Sequence, residues 1–125
     1  MDEVSEDWGV EVERGPDWVF VRLRPGTQEP VDVADRVWKL ADRHFVYRLV
    51  LEMDQLDAIP SRLLGQLVTL QKRVLQRRGA LRLCGLSEQC AEAIHFCRLD
   101  QALPNYSSRE DAVLGQRDGR LVHAH

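Results

Sequence analysis

The stretch LVLEMDQLDAIPSRLLGQLVTLQKRV, residues 49–74, changes hydrophobic period in its middle. From Leu49 to Met53 the run is almost continuously apolar, as expected of a strand covered on both faces. A polar loop follows. After Pro60 the apolar residues Leu63, Leu64, Leu67, Val68, Leu70, Val74 and Leu75 recur at the spacing of a helix buried along one side. At the junction stands a single hydroxyl, Ser61, between Pro60 and Arg62, where a helix N-cap is expected.

Upstream, the apolar run extends back as FVYRLVLEM, residues 45–53, rich in β-branched and aromatic residues. Before it, VDVADRVWKLADRHF places Val33, Ala34, Val37, Leu40 and Ala41 on one helical face, with Asp32 positioned as the cap and His44 at the end. Still earlier, WGVEVERGPDWVFVRL alternates apolar and polar residues on both sides of Arg14-Gly15-Pro16-Asp17. Val10 and Val12, then Trp18, Phe20 and Arg22, take the opposite phase to their neighbours, which predicts a β-hairpin. Pro25, Gly26 and Pro30 mark the loop that follows.

Downstream, Gly79 is placed to end the helix in the left-handed conformation. ALRLC, residues 80–84, reads as a short strand. LSEQCAEAIHFC opens a third helix with Ser87 as N-cap and Cys90, Ile94 and Cys97 about a turn apart. ALPNY reads as an edge strand, because Pro104 cannot donate to a ladder. SSREDAVLG is a last helix, with Ser107 and Glu110 in capping-box spacing and Gly115 as the stop. The order β-β-α-β-α-β-α-β-α predicts an α/β fold: a mixed sheet of about five strands covered by helices, parallel apart from the hairpin. One domain over residues 1–115 is expected, with a mobile C-terminal tail at 116–125.

Composition narrows the function classes. The 125 residues are 44% hydrophobic and 30% charged, as in an ordinary globular chain. A net charge of −3 argues against a nucleic-acid partner, and Arg73, Arg77 and Arg78 read as complements to a helix C-terminus. No apolar run approaches membrane-spanning length, so no membrane partner is expected. The acidic start MDEVSEDWG lacks the features of a signal peptide, which points to a cytoplasmic protein. The 3 cysteines, Cys84, Cys90 and Cys97, match no zinc spacing and read as reduced core or near-core residues. Trp8, Trp18 and Trp38 read as packing residues.

No catalytic or cofactor pattern is present: there is no legible Ser–His–Asp set, phosphate loop or metal cluster. Glu52, Asp54 and Asp57 are acidic neighbours of the loop and read as solvated rather than metal-binding. His95 reads as a partly buried helix residue, and the terminal HAH as incidental.

From Leu49 to Gly115 the chain resembles the STAS domain, the fold of bacterial anti-sigma factor antagonists. The resemblance rests on the strand and loop leading to a serine-headed helix, on G-x-L-x-L-x-x-L at 79–86, and on L-x-x-x-x-x-x-Y-x-S-x-E-x-A at 99–112. The family's loop motif places an aspartate, one or two serines and a small residue before Leu-Gly. Here those positions read Ile59, Pro60, Ser61, Arg62, Leu63, Leu64, Gly65, so Ser61 falls on the family's phosphoacceptor position, while Pro60, Arg62 and Leu63 depart from the motif.

The resemblance implies partner switching in control of transcription. The unmodified domain would bind an anti-sigma factor that is also a serine kinase of the histidine-kinase-like ATPase fold, and phosphorylation of Ser61 would break the complex. Pro60, Ser61, Arg62 and Leu63 are then the candidate partner interface. A serine at this position also suits a plain helix cap. The other reading is a constitutive scaffold or assembly subunit of the same fold, self-associating and without a phospho-switch. Pro60 and the missing acidic residues favour it, the family's acidic residue after the second strand having no counterpart in VRLRPGTQEP.

Overall fold

The computed structural model describes residues 6–116. The strands are β1 (Gly9–Arg14), β2 (Val19–Arg24), β3 (Arg48–Glu52), β4 (Ala80–Cys84) and β5 (Asn105–Tyr106). The helices are α1 (Val33–His44), α2 (Ser61–Gln76), α3 (Glu88–Phe96) and α4 (Arg109–Leu114). The strands form one 5-stranded sheet in the order β1-β2-β3-β4-β5. Only β1–β2 is antiparallel, with Gly9 opposite Arg24 and Arg14 opposite Val19; the other pairs are parallel. The expected element order and mixed sheet are both present, with β5 at one edge.

The two faces of the sheet carry different cores. On one, Val19, Val21 and Leu23 of β2, Leu49 and Leu51 of β3, and Leu81 and Leu83 of β4 pack with Val33, Val37, Ala41, Leu63, Leu67, Leu70, Val74, Cys90 and Ile94 of α1, α2 and α3. On the other, Trp18, Val50, Cys84 and Tyr106 pack with Ala112 of α4. Alternation therefore holds in β2, but its fully buried phase is Val19-Val21-Leu23; Phe20 and Arg22 face the second side and are half-buried. β3 is buried from Leu49 to Glu52, as a central strand should be.

Several local expectations change. Phe45 does not begin β3: it follows α1 in the left-handed region (φ 56°) and stands exposed. Left-handed geometry after α2 falls on Arg78 (φ 59°), not Gly79. Gly79 is required for a different reason, because a Cβ there would lie 2.0 Å from the Tyr47 carbonyl oxygen. Gly115 does end α4 at φ 71°. Asp32 precedes α1 but its side chain caps nothing. α4 is capped by Ser108, which accepts from the Asp111 N–H at 3.1 Å, one residue later than the Ser107–Glu110 spacing predicts. Ser87 caps α3 as expected, accepting from the Cys90 N–H at 3.1 Å. Leu75 is exposed, and Gln71 takes its place in the buried stripe. Cys84 and Cys90 are buried but Cys97 is exposed. The 117–125 part of the tail, with its terminal HAH, and residues 1–5 lie outside the described residues.

Candidate functional site

The loop from Met53 to Pro60 is fixed by residues on both of its sides. Met53, Leu56 and Ile59 are buried, alternating with the exposed Asp54, Gln55, Asp57 and Ala58. The Met53 N–H donates to the Cys84 carbonyl at 2.9 Å, extending the β3–β4 ladder by one bond. The start of α3 grips the loop from the other side: the Ser87 hydroxyl donates to the Asp57 carbonyl at 3.3 Å, and the Cys90 thiol to the Leu56 carbonyl at 3.7 Å. Two of the loop's carbonyls are thus satisfied from α3, which ties the loop to that helix.

At its end, Pro60 is in extended conformation (φ −61°, ψ 146°), and its carbonyl accepts from the Leu63 N–H at 2.9 Å and the Leu64 N–H at 3.1 Å. Pro60 is therefore the N-cap, and it has no side-chain acceptor to offer. Ser61 is the first residue of the helix proper. Its expected capping role is corrected by this shift of one residue: an N-cap hydroxyl bonds an amide further into the helix, and no side-chain cap bond is made at this end of α2. Ser61 is exposed, and the first turn of α2 holds no acidic side chain. The positive end of the helix dipole consequently faces solvent beside an uncommitted hydroxyl.

The neighbours of Ser61 divide by burial. Arg62 is exposed and pairs with Glu29 across 3.5 Å, a surface pair of small energetic weight. Pro60 is half-buried. Leu63 is fully buried in the α1–α2 core, so it anchors the helix beneath the exposed pair and presents no surface of its own.

A match to the STAS domain family runs over residues 13–112, most of the chain. The chain belongs to the STAS domain family. Solved structures agree at the level of fold. An anti-sigma factor antagonist from Mycobacterium paratuberculosis superposes with a TM-score of 0.72 at 18% identity, covering 90% of this chain and 97% of that one. A variant of RsbS from Moorella thermoacetica gives 0.72 at 12% identity, over 91% and 97%. The anti-sigma factor antagonist SpoIIAA, solved in its unphosphorylated form, gives 0.65 at 16% identity, over 88% and 100%. Comparison with curated proteins found no match.

Around its loop this STAS domain carries an ion-pair network that the sequence did not reveal. Arg109 of α4 donates two bonds to the Glu52 carboxylate, Nε at 3.0 Å and Nη2 at 2.8 Å, and pairs with Glu13 of β1 at 3.1 Å while lying over the Phe20 ring. These partners push the Arg109 pKa up, the hydrogen bonds to Glu52 foremost. Arg22 adds contacts to Glu52 at 3.7 Å and Asp54 at 3.3 Å. Glu52 is thus buried against arginines on the second face of the sheet rather than solvated, while Asp54 pairs with Arg22 yet stays exposed, as does Asp57. Among the described residues no group of three or more His, Cys, Asp or Glu is placed to hold a metal ion, and no helix is long and apolar enough to cross a membrane. His95 is exposed, 3.2 Å from Asp100, not partly buried as its helical context suggested. Trp8 and Trp18 are buried and Trp38 half-buried. Arg22 and Arg109 escape a linear reading because their partners lie on other strands.

Proposed function

We propose that this STAS domain acts as an anti-sigma factor antagonist. In this reading it binds a protein partner, a serine kinase of the histidine-kinase-like ATPase fold with anti-sigma activity, through the exposed end of α2. Phosphorylation of Ser61 then releases that partner.

The observation that carries the reading is the place of Ser61: exposed, first in α2, with its hydroxyl free of capping duty. A phosphate there adds about −1.5 to −2 charges and three acceptor oxygens beside the first-turn amides. The helix dipole favours that charge, and no first-turn carboxylate opposes it, so the modified domain stays folded. In an interface the same dianion must shed its water or meet like charge, and the complex dissociates. The pinned loop supports the reading too, since a recognition surface held in one shape loses little entropy on binding. Arg62, one position on, is available to an acidic group of the partner.

The test uses serine kinases of this fold encoded in the source genome. Each is incubated with the chain and ATP, and modified residues are mapped by mass spectrometry; binding is measured by calorimetry with ADP present. The expected result is a phosphate on Ser61 with one kinase, none on Ser61→Ala, and binding weakened about a hundredfold or more in Ser61→Asp, near 3 kcal/mol. Equal binding of wild type and Ser61→Asp overturns the switch and leaves a constitutive scaffold.

A further inference from the structure

The far end of the molecule carries a second charged feature. α2 runs from Ser61 to Gln76, so Arg77 and Arg78 lie about 24 Å from Ser61 at a rise of 1.5 Å per residue. There the C-terminal ends of α1 and α2 meet the starts of β3 and β4 around a cleft of about 320 Å³. Phe45, Tyr47, Arg48, Arg77 and Arg78 line it, with Asp17 as the single carboxylate. Among the described residues Arg48, Arg77 and Arg78 form no ion pair. Arg77 is held by the Tyr47 hydroxyl at 3.2 Å, which itself donates to Asp42 at 2.6 Å. In a chain of net charge −3, three arginines on one lining are a local excess of positive charge. The Arg48 guanidinium also lies 6.0 Å from the Trp18 ring centroid, and that of Arg77 5.7 Å and 5.2 Å from those of Trp38 and Tyr47, with Asp42 beyond the Tyr47 hydroxyl.

Backbone conformation sets two of the lining side chains. Both helices end with paired reversed bonds: Val46 N–H to Ala41 O and Phe45 N–H to Asp42 O after α1, Gly79 N–H to Val74 O and Arg78 N–H to Leu75 O after α2. Each places its left-handed residue in the position where glycine is favoured. Here those residues are Phe45 and Arg78, two of the three non-glycine residues with positive φ among the described residues, and both project into this one cleft's lining. The third, Arg98, ends α3 with the same pair of bonds away from this cleft, so the particular feature here is that an exposed ring, Phe45 at 82%, and the Arg78 cation share one lining.

We propose that this cleft binds a phosphate-bearing ligand. Arg48, Arg77 and Arg78 recognise the phosphate oxygens by the fork geometry that suits guanidinium to phosphate, and Phe45 offers a face to a flat ligand group. A small concave site favours a compact, multiply charged anion over a nucleic-acid strand, which the net negative charge repels. The cleft is separate from the Ser61 end and does not depend on the function proposed for it.

The test titrates the full chain separately with inorganic pyrophosphate, ATP and a phosphoserine peptide at low salt, by calorimetry, and repeats each with Arg78→Gly, Arg77→Ala, Phe45→Ala and Ser61→Ala. Saturable binding is expected, weakened about tenfold or more by Arg78→Gly and Arg77→Ala, weakened by added salt, and unchanged by Ser61→Ala. Tightest binding of ATP, reduced by Phe45→Ala, identifies a nucleotide-like source; tightest binding of the peptide identifies a phosphoprotein. Arg78→Gly relieves the left-handed conformation and is expected to raise Tm, so its loss of binding cannot be ascribed to unfolding. Absence of binding for all three probes at millimolar concentration, or equal binding by wild type and Arg78→Gly, overturns the proposal.

Discussion

The side-chain carbonyl of Gln66, on α2, accepts the backbone N–H of Ala34, on α1, at 2.9 Å. The amide nitrogen of the same side chain donates to the Pro30 carbonyl. One helix therefore caps the other, supplying the acceptor that Asp32, exposed at the start of α1 and paired at 3.9 Å with Arg36, does not. Through Gln66 the entry to α1 is tied to the first two turns of α2, behind the surface that presents Ser61.

Gln66→Ala removes both bonds and is expected to cost about 1–2 kcal/mol, the range of a lost cap with a partner left unpaired. Asp32→Ala is expected to change stability by less than about 0.5 kcal/mol. Urea denaturation of the two variants reads the difference, and a larger loss for Asp32→Ala would count against the cross-helix cap.

Gln71 plays a similar part inside the core. Its amide donates to the Leu81 carbonyl at 3.0 Å and the Ala102 carbonyl at 2.6 Å, and its oxygen accepts the Leu81 N–H at 3.1 Å. Gln71→Leu keeps the approximate volume but strands three backbone groups, and a loss of about 2–4 kcal/mol is expected. Hydrogen exchange at the Leu81 amide should quicken more than at Leu83 if the bond is as described.

Arg109→Ala leaves the nearly buried Glu52 carboxylate without its bidentate partner and is expected to cost about 2–4 kcal/mol, discounted for the partial exposure of Arg109. The same arginine, by its hydrogen bond first and its charge second, holds the Glu13 carboxyl below its ordinary value of 4.5. A carboxylate with a depressed folded-state pKa contributes stability that is complete above its unfolded value and is lost as the pH falls through the folded one. An NMR titration should therefore place the Glu13 midpoint below 4.5 in wild type and return it toward 4.5 in Arg109→Ala. An unchanged midpoint would sever the two residues.

Gly79→Ala forces a Cβ to within 2.0 Å of the Tyr47 oxygen and is expected to cost more than about 3 kcal/mol or to prevent folding. Arg78→Gly, next to it, is expected to stabilise by about 1 kcal/mol by removing the left-handed penalty. Thermal melts of the two neighbours should move in opposite directions.

The cysteines offer a chemical readout of packing. Burial first, and then the nearby Glu52 carboxylate, push the Cys84 thiol up to about 11, while Cys97 is exposed. At pH 8 a thiol reagent should modify Cys97 in the native chain and all 3 cysteines only after unfolding. Rapid native labelling of Cys84 or Cys90 would contradict the core described above.

By itself the sequence determined the order of elements, the mixed sheet and the loop that leads into α2, because those follow from local period and from turn residues whose preference travels with them. Ser87 and Gly115 were legible for the same reason: a cap or a stop acts on atoms a few residues away. The tertiary structure decided whatever depends on another segment. Alternation in β2 could not say which phase faces α1 and α2, since period two is the same on either face until the helices choose one. The roles of Gln66, Gln71, Arg109 and Gly79 arise from groups distant in the chain, and no local pattern encodes them. Ser61 lies between these cases. Its nearness to a helix start is written in the sequence, but its hydroxyl is free because the pinned loop delivers Pro60, one residue earlier, to the capping position.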